Sequence, residues 1–189
     1  KSHFIISFAF NIVIADDTIL KAKEIMKCDL FQVYGLTETA GAITILMPED
    51  HDPEKGKLRS CGKALNSVEI KVVDDEGNEV KTGDIGEVIS KSPLNMKGYW
   101  NRPDATEEAI KDGWFYSGDA GFFDDEGYLY IHDRVKDMIV SGGENIYPAE
   151  VENALMSHPE IADAAVIGVP DDKWGCLLYT SDAADDWSS

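Results

Sequence analysis

From Val68 to His132 the chain repeats one pattern that restricts its folding: short runs of alternating apolar and polar residues, each stopped by a glycine-containing turn. Val68, Ile70 and Val72 alternate with Glu69 and Lys71, and Asp75 to Asn78 supplies the Gly expected of a hairpin. Gly83 to Gly86 turns into Glu87, Val88 and Ile89, and residues 113 to 132 repeat the arrangement around Asp124 to Gly127. Period-two patterning broken this often cannot make long helices, so a run of antiparallel strands is predicted. Taken alone, the residues support a β-rich segment and no finer description.

Residues 114 to 147, WFYSGDAGFFDDEGYLYIHDRVKDMIVSGGENIY, close this region and hold an unusual set of polar groups. Asp119 follows a Ser-Gly turn, Asp133 and Arg134 are adjacent, Lys136 is near, and Gly142 to Asn145 form a Gly-Gly-Glu-Asn loop. A carboxylate accepts two hydrogen bonds from vicinal hydroxyls, and Arg offers a planar fork of donors to oxyanions. A nucleotide is a natural ligand of such a set. Singly, Asp119 also fits a turn residue, and Asp133 and Arg134 a surface ion pair.

Charge narrows the partners. Lys plus Arg number 17 against 36 Asp plus Glu, a net charge of −19, which argues against a nucleic-acid or anionic-membrane surface. The three cysteines, Cys28, Cys61 and Cys176, have no regular spacing, so neither a disulfide framework nor a zinc site is suggested, and a reducing cytoplasm is the simplest compartment. The apolar run from Phe4 to Ala15 is interrupted by Ser7 and Asn11 and falls short of the roughly 20 residues of a membrane span. A buried strand is its better reading.

Upstream, Asp16 and Asp17 can cap a helix that runs to about Lys27, with Lys21, Lys23 and Lys27 placed favourably for its dipole. Leu30, Phe31 and Val33 then read as a buried strand delivering VYGLTETAG, residues 33 to 41, to its C-terminal end, where open α/β sheets place ligands. Downstream, Pro148 opens a helix with Val151, Ala154 and Leu155 on one face, stopped at 157 to 159, and Ala164 to Val169 reads as a strand.

The ordered motifs YGLTET, GEVISKSPLNMKGYWNRPDAT and DRVKDMIVSGGENIYPAEVE resemble the adenylate-forming (AMP-binding) superfamily over roughly residues 16 to 175, most closely its fatty-acyl-CoA synthetases. That resemblance implies an α/β plus β-rich fold: the C-terminal part of the large domain over 1–135, ending a parallel sheet and closing with a small distorted barrel. A hinge and the start of a small α+β lid domain would follow over 136–175. The implied reaction is ATP-dependent activation of a medium- or long-chain fatty acid to an acyl-adenylate, then transfer to CoA, with Mg²⁺ required. Aryl, short-chain or amino acids remain alternative substrates, since the acyl pocket is not readable here. A non-catalytic nucleotide-binding module is the alternative of another class.

The resemblance also carries roles onto matching positions. Thr37 would contact the adenylate phosphate and Glu38 hold Mg²⁺, although both residues also suit the cap of a following helix. Tyr34 and Gly35 would line the adenine and acyl side, Asp119 accept the ribose hydroxyls, and Arg134 contact ribose and phosphate. Lys136 falls at the hinge, and Gly142, Gly143 and Glu144 match the loop that lines the CoA channel, where a tight turn is the plainer alternative. Ser117 stands where many relatives have Thr, residues 4 to 14 depart from a Gly-Ala-x-Pro segment, and Ala64 and Asn66 replace common prolines.

The phosphate-cradling loop and the adenylating Lys of the family are expected outside the chain, which predicts an inactive excerpt. Residues 176–186, CLLYTSDAADD, bear no relation to what precedes them and look like a translated transposase adapter, so a non-native, disordered tail is expected over 176–189.

Overall fold

The computed structural model describes residues 3–7, 16–156, 158, 160–161, 163–171 and 173–182, and these divide into two compact units that meet at 131/132. The first unit contains β1 (His3–Ser7), α1 (Asp16–Met26), β2 (Asp29–Leu36), β3 (Gly41–Leu46), β4 (Lys63–Ala64), β5 (Glu69–Val73), β6 (Gly86–Lys91), α2 (Pro103–Ala109), β7 (Ile110–Lys111) and β8 (Trp114–Phe123). Strand β9 (Leu129–Arg134) leads out of it. The second contains β10 (Ile139–Ser141), β11 (Glu144–Ile146), α3 (Pro148–Met156), β12 (Ala164–Asp171) and β13 (Gly175–Asp182). The result is a β-rich α/β fold: patterning alone called for the β-rich part, and the resemblance implied the whole.

Two sheets build the first unit. One has the order β1-β2-β3-β4, with β1 parallel to β2 and the remaining pairs antiparallel. The other has the order β5-β6-β8-β7, with β9 also on β8, and its strand pairs in the main order are antiparallel. Helix α1 covers the first sheet through Ile19, which packs with Leu30 and Leu58. Of the apolar run at 4–15, Phe4 to Ser7 lie in β1, and residues 8–15 lie outside the described residues.

The sheets are joined at Leu129. Its carbonyl accepts from Cys61 N at 2.7 Å, its N–H donates to Gly62 O at 2.9 Å, and its side chain has no exposed surface. Gly62 has a φ of 85°, and a Cβ there would strike the backbone of Ile45. Only a residue without a side chain lets these backbones approach so closely. Around this point Tyr34 and Ile43 from the first sheet pack with Val68, Val72, Val88, Leu129 and Ile131. The Tyr34 ring thus belongs to the shared core, while its hydroxyl donates to Asp119 Oδ2 at 2.6 Å across 85 positions of sequence.

In the second unit β12 pairs with β13 from Ala164↔Asp182 to Asp171↔Gly175. Residues 176–182, expected to belong to a tail without order, therefore lie in a strand. The reason is visible in the pairing: Cys176, Leu177, Leu178, Tyr179 and Thr180 are apolar or β-prone, and β12 offers them a complete antiparallel partner. Residues 183–189 lie outside the described residues.

Two outcomes test this core. Leu129→Ala removes a fully buried side chain at the junction and is expected to cost about 2–5 kcal/mol in urea unfolding. Stability is also expected to fall at alkaline pH. Burial pushes the Cys61 thiol from 9.0 up to about 12, and burial followed by the neighbouring Asp119 charge raises the Tyr34 phenol well above 10. The unfolded chain releases these protons first, so the folded state binds more protons through that window and its advantage drains away as pH rises. Urea midpoints should hold below about pH 9 and decline from there to about 12, with a shallower early decline in Cys61→Val; a midpoint that rises over this range contradicts the assignment.

Candidate nucleotide site

Strand β2 ends in the loop that carries the first group of candidates. Residues Thr37 to Thr39 form a single 3₁₀ turn, with Ala40 in the left-handed region at a φ of 54°. The capping role considered for Thr37 and Glu38 falls instead to Thr39, whose buried hydroxyl accepts from Leu36 N at 2.9 Å and donates to Gly41 O at 2.7 Å. Thr37 is left exposed and Glu38 half-buried. Gly35 is needed for another reason than ligand approach: a Cβ there would overlap the Gly41 carbonyl where β2 and β3 slip register between Tyr34 and Gly35.

Glu38 is held by a segment about sixty residues away. Its Oε1 accepts from the Tyr99 hydroxyl at 2.9 Å, and its backbone carbonyl accepts from Met96 N at 2.6 Å. Tyr99 and Met96 come from the NMKGYW stretch before α2, which the sequence marked only as part of a motif. No periodicity or spacing could have paired Tyr99 with Glu38, because the contact exists only once β2 and the α2 region lie side by side.

Asp119 sits in an irregular part of β8. Glu87 opposes Ala120 and Ile89 opposes Tyr116, so Ser117, Gly118 and Asp119 face Val88 alone. Such a bulge re-aims side chains and leaves ladder groups to be satisfied otherwise. Here Ser117 Oγ donates to Val88 O at 2.6 Å and accepts from Asp119 N at 3.0 Å, and Gly118 N donates to Glu87 Oε1 at 2.9 Å. Gly118 takes a φ of 72°, which a side chain would strain. Asp119 is 1% exposed and accepts the Tyr34 hydroxyl, so the two candidates from distant motifs are brought together.

A cleft of about 700 Å³ adjoins this turn, lined by Glu87, Tyr99, Trp100, Arg102, Lys111 and Tyr116 among others, with Ser117 and Gly118 in its wall. Glu87 is half-buried, and burial pushes its carboxyl above 4.5, against the pull of the Gly118 N–H and then of Lys111. Trp100 is 90% exposed at the cleft margin. The first unit therefore gathers Tyr34, Asp119 and Ser117 at one turn, and Glu38 with Tyr99 at another.

The other candidates belong to the second unit. Arg134 ends β9, and Lys136 lies exposed in the 3₁₀ turn Val135–Asp137. The Asp133 carboxylate serves two backbone N–H groups. Its Oδ1 accepts from Arg134 N at 2.7 Å and its Oδ2 from Ala149 N at 3.0 Å, in the first turn of α3. Gly142 and Gly143 are the two-residue turn between β10 and β11, at φ 62° and 88°. Both central residues in the left-handed region make the primed turn that suits a tight hairpin. Glu144 is exposed at the start of β11.

The donor chemistry suits the groups the resemblance implies. Mg²⁺ takes hard oxygen ligands, one or two carboxylates completed by phosphates and water, and Glu38 offers one oriented carboxylate. Among the described residues there is no cluster of three or more His, Cys, Asp or Glu able to hold a metal unaided, so any cation here would need the ligand's own oxygens.

Residues 11–100 match the AMP-binding enzyme family and residues 150–181 the AMP-binding enzyme C-terminal domain. The chain is 44% identical over 155 residues to the fatty acid–[acyl-carrier-protein] ligase ScoC of Streptomyces coeruleorubidus, covering 82% of this chain and 30% of that protein. It is 46% identical over 169 residues to the long-chain-fatty-acid–CoA ligase FadD13 of Mycobacterium tuberculosis, covering 89% of this chain and 33% of the relative. The chain thus spans about a third of the length of these relatives. Among solved structures, the o-succinylbenzoate CoA synthetase MenE of Bacillus subtilis with its OSB-AMP acyl-adenylate superposes with a TM-score of 0.82 at 41% identity, over 93% of this chain and 35% of that one. The same enzyme in complex with ATP and magnesium ion gives 0.80 at 40% identity, covering 93% and 35%. With both family matches in chain order and this fold beneath them, the chain belongs to the AMP-binding, adenylate-forming enzyme family.

Proposed function

We propose that the enzyme carrying this chain activates a fatty acid with ATP, forming an acyl-adenylate and pyrophosphate, and passes the acyl group to CoA with release of AMP. The observation that carries the reading is the hydrogen bond from Tyr34 to Asp119, which brings the YGLTET loop and the Ser-Gly-Asp turn to one place. A buried, oriented carboxylate beside an aromatic ring is a fitting receptor for a nucleoside. ScoC and FadD13, named for fatty-acid substrates, support the acid class, and MenE supports an aryl acid as the second reading.

In this proposal Asp119 accepts the ribose hydroxyls, Tyr34 and Gly35 border the adenine and acyl side, and Thr37 donates to the adenylate phosphate. Glu38, steadied by Tyr99, holds Mg²⁺, which neutralises phosphate charge when bound. Arg134 is assigned to ribose and phosphate by the resemblance alone. We assign residues 1–135 to the large domain and residues 136–175 to the hinge and lid domain, with Lys136 at the hinge and Gly142, Gly143 and Glu144 lining the CoA path. Among the described residues no helix is long and apolar enough to cross a membrane. We place the enzyme in the cytoplasm, where Cys28, Cys61 and Cys176 stay reduced; all three are free thiols here.

The test is incubation of the full-length enzyme containing these residues with ATP, CoA and a panel of fatty and aryl acids. Acyl-CoA and AMP from medium- or long-chain acids are expected, and no acyl-CoA from any fatty acid would sink the proposal, with aryl products alone favouring the second reading. Asp119→Ala should lower kcat/KM for ATP roughly 10- to 100-fold, the value of one or two hydrogen bonds to a charged group. The 189-residue chain by itself is expected to give no ATP–pyrophosphate exchange, because no Ser/Thr/Gly-rich phosphate loop occurs in it; measurable exchange would overturn that.

A further inference from the structure

Three residues of β8 stand opposite one residue of β6, and something must hold that excess in a single shape. Of the groups the bulge frees, Val88 O and Asp119 N are both satisfied by the hydroxyl of Ser117. Gly118 N is satisfied from outside the bulge, by Glu87 Oε1 at 2.9 Å, 31 positions earlier in the chain. A glycine at φ 72° has many alternative conformations, so the acceptor that fixes its N–H also fixes the peptide leading into Asp119. Glu87 lines the cleft, within reach of water. Loss of its carboxylate therefore leaves Gly118 N solvated and not orphaned, with small effect on folding and a larger one on where the Asp119 carboxylate points.

We propose that Glu87 is a positioning residue for nucleotide recognition: by accepting the Gly118 N–H it holds the Ser117–Gly118–Asp119 bulge so that the Asp119 carboxylate meets the ribose hydroxyls. The proposal rests on the reading of Asp119 as the ribose acceptor. It requires Glu87 to supply an acceptor at that spot and does not require it to touch the substrate. A carbonyl oxygen of the same reach serves equally, which separates positioning from any need for the charge of Glu87.

The experiment uses the full-length enzyme and compares kcat/KM for ATP with that for 2′-deoxyATP, a ratio that reports contact with the ribose hydroxyl and that a general loss of stability does not move. The unaltered enzyme is expected to prefer ATP by roughly 10-fold or more, the usual penalty when a buried acceptor loses its partner hydroxyl. Glu87→Ala should cut that preference to within about threefold while the melting temperature stays close to the parent's, and Glu87→Gln should restore it. If the alanine variant does not fold, Glu87→Asp, which withdraws the acceptor by one methylene, must still reduce the ratio. A preference abolished by Asp119→Ala and unchanged in Glu87→Ala, or in Glu87→Asp where that variant is needed, overturns the positioning role alone. A parent enzyme with no preference, unaltered by Asp119→Ala, overturns the ribose reading and the positioning role with it.

Discussion

The hydrogen bond between the Tyr34 hydroxyl and Asp119 is the contact on which the first unit depends, because each partner answers to a different sheet. The ring of Tyr34 is core, packed with Ile43, Val72, Val88 and Leu129, and only its hydroxyl is polar. A carboxylate this deeply buried is costly unless donors reach it, and a phenol placed in the core without an acceptor carries its own cost. Each therefore requires the other. The register of β2 against β3, the seating of Leu129 between Cys61 and Gly62, and the bulge in β8 all have to be right for the two atoms to lie 2.6 Å apart.

The same economy explains why irregular backbone collects near this point. The slip between Tyr34 and Gly35, the left-handed Ala40, and the Ser117–Gly118–Asp119 bulge are each a departure from a regular ladder. Regular strands would have aimed these side chains alternately up and down and kept their backbone groups for each other. The departures are stabilised by side chains from within, Thr39 in the loop and Ser117 in the bulge, and from elsewhere, Tyr99 on Glu38 and Glu87 on Gly118. Much of the candidate site is thus made of contacts between segments distant in sequence.

That distribution determines what could be read from the sequence. Alternation and glycine turns located β5, β6, and the β8–β9 hairpin, since period-two patterning and turn chemistry are local. The extent of α1 and the start of α3 at Pro148 were equally legible. Tyr99 and Glu87 were not, because nothing about either residue type or its neighbours says which loop it will steady. The Asp133 contact was hidden for a related reason: adjacency to Arg134 pointed to a surface pair as one reading, and nothing local points to the backbone N–H 16 positions on that its carboxylate accepts. The strand at 175–182 was missed because composition described the tail without its partner, and β12 supplies that partner.

Asp133 has a further consequence. Its bond to Ala149 closes residues 133–149 into a ring of covalent chain and one hydrogen bond, and Lys136 lies inside that ring. A torsion inside a ring cannot turn by itself: its neighbours must counter-rotate, or the ring must open. If Lys136 is the hinge proposed above, a swing centred on it would have either to share its rotation among neighbouring torsions of the ring or to release Ala149 from Asp133, so the carboxylate would act as a clasp that limits such a joint.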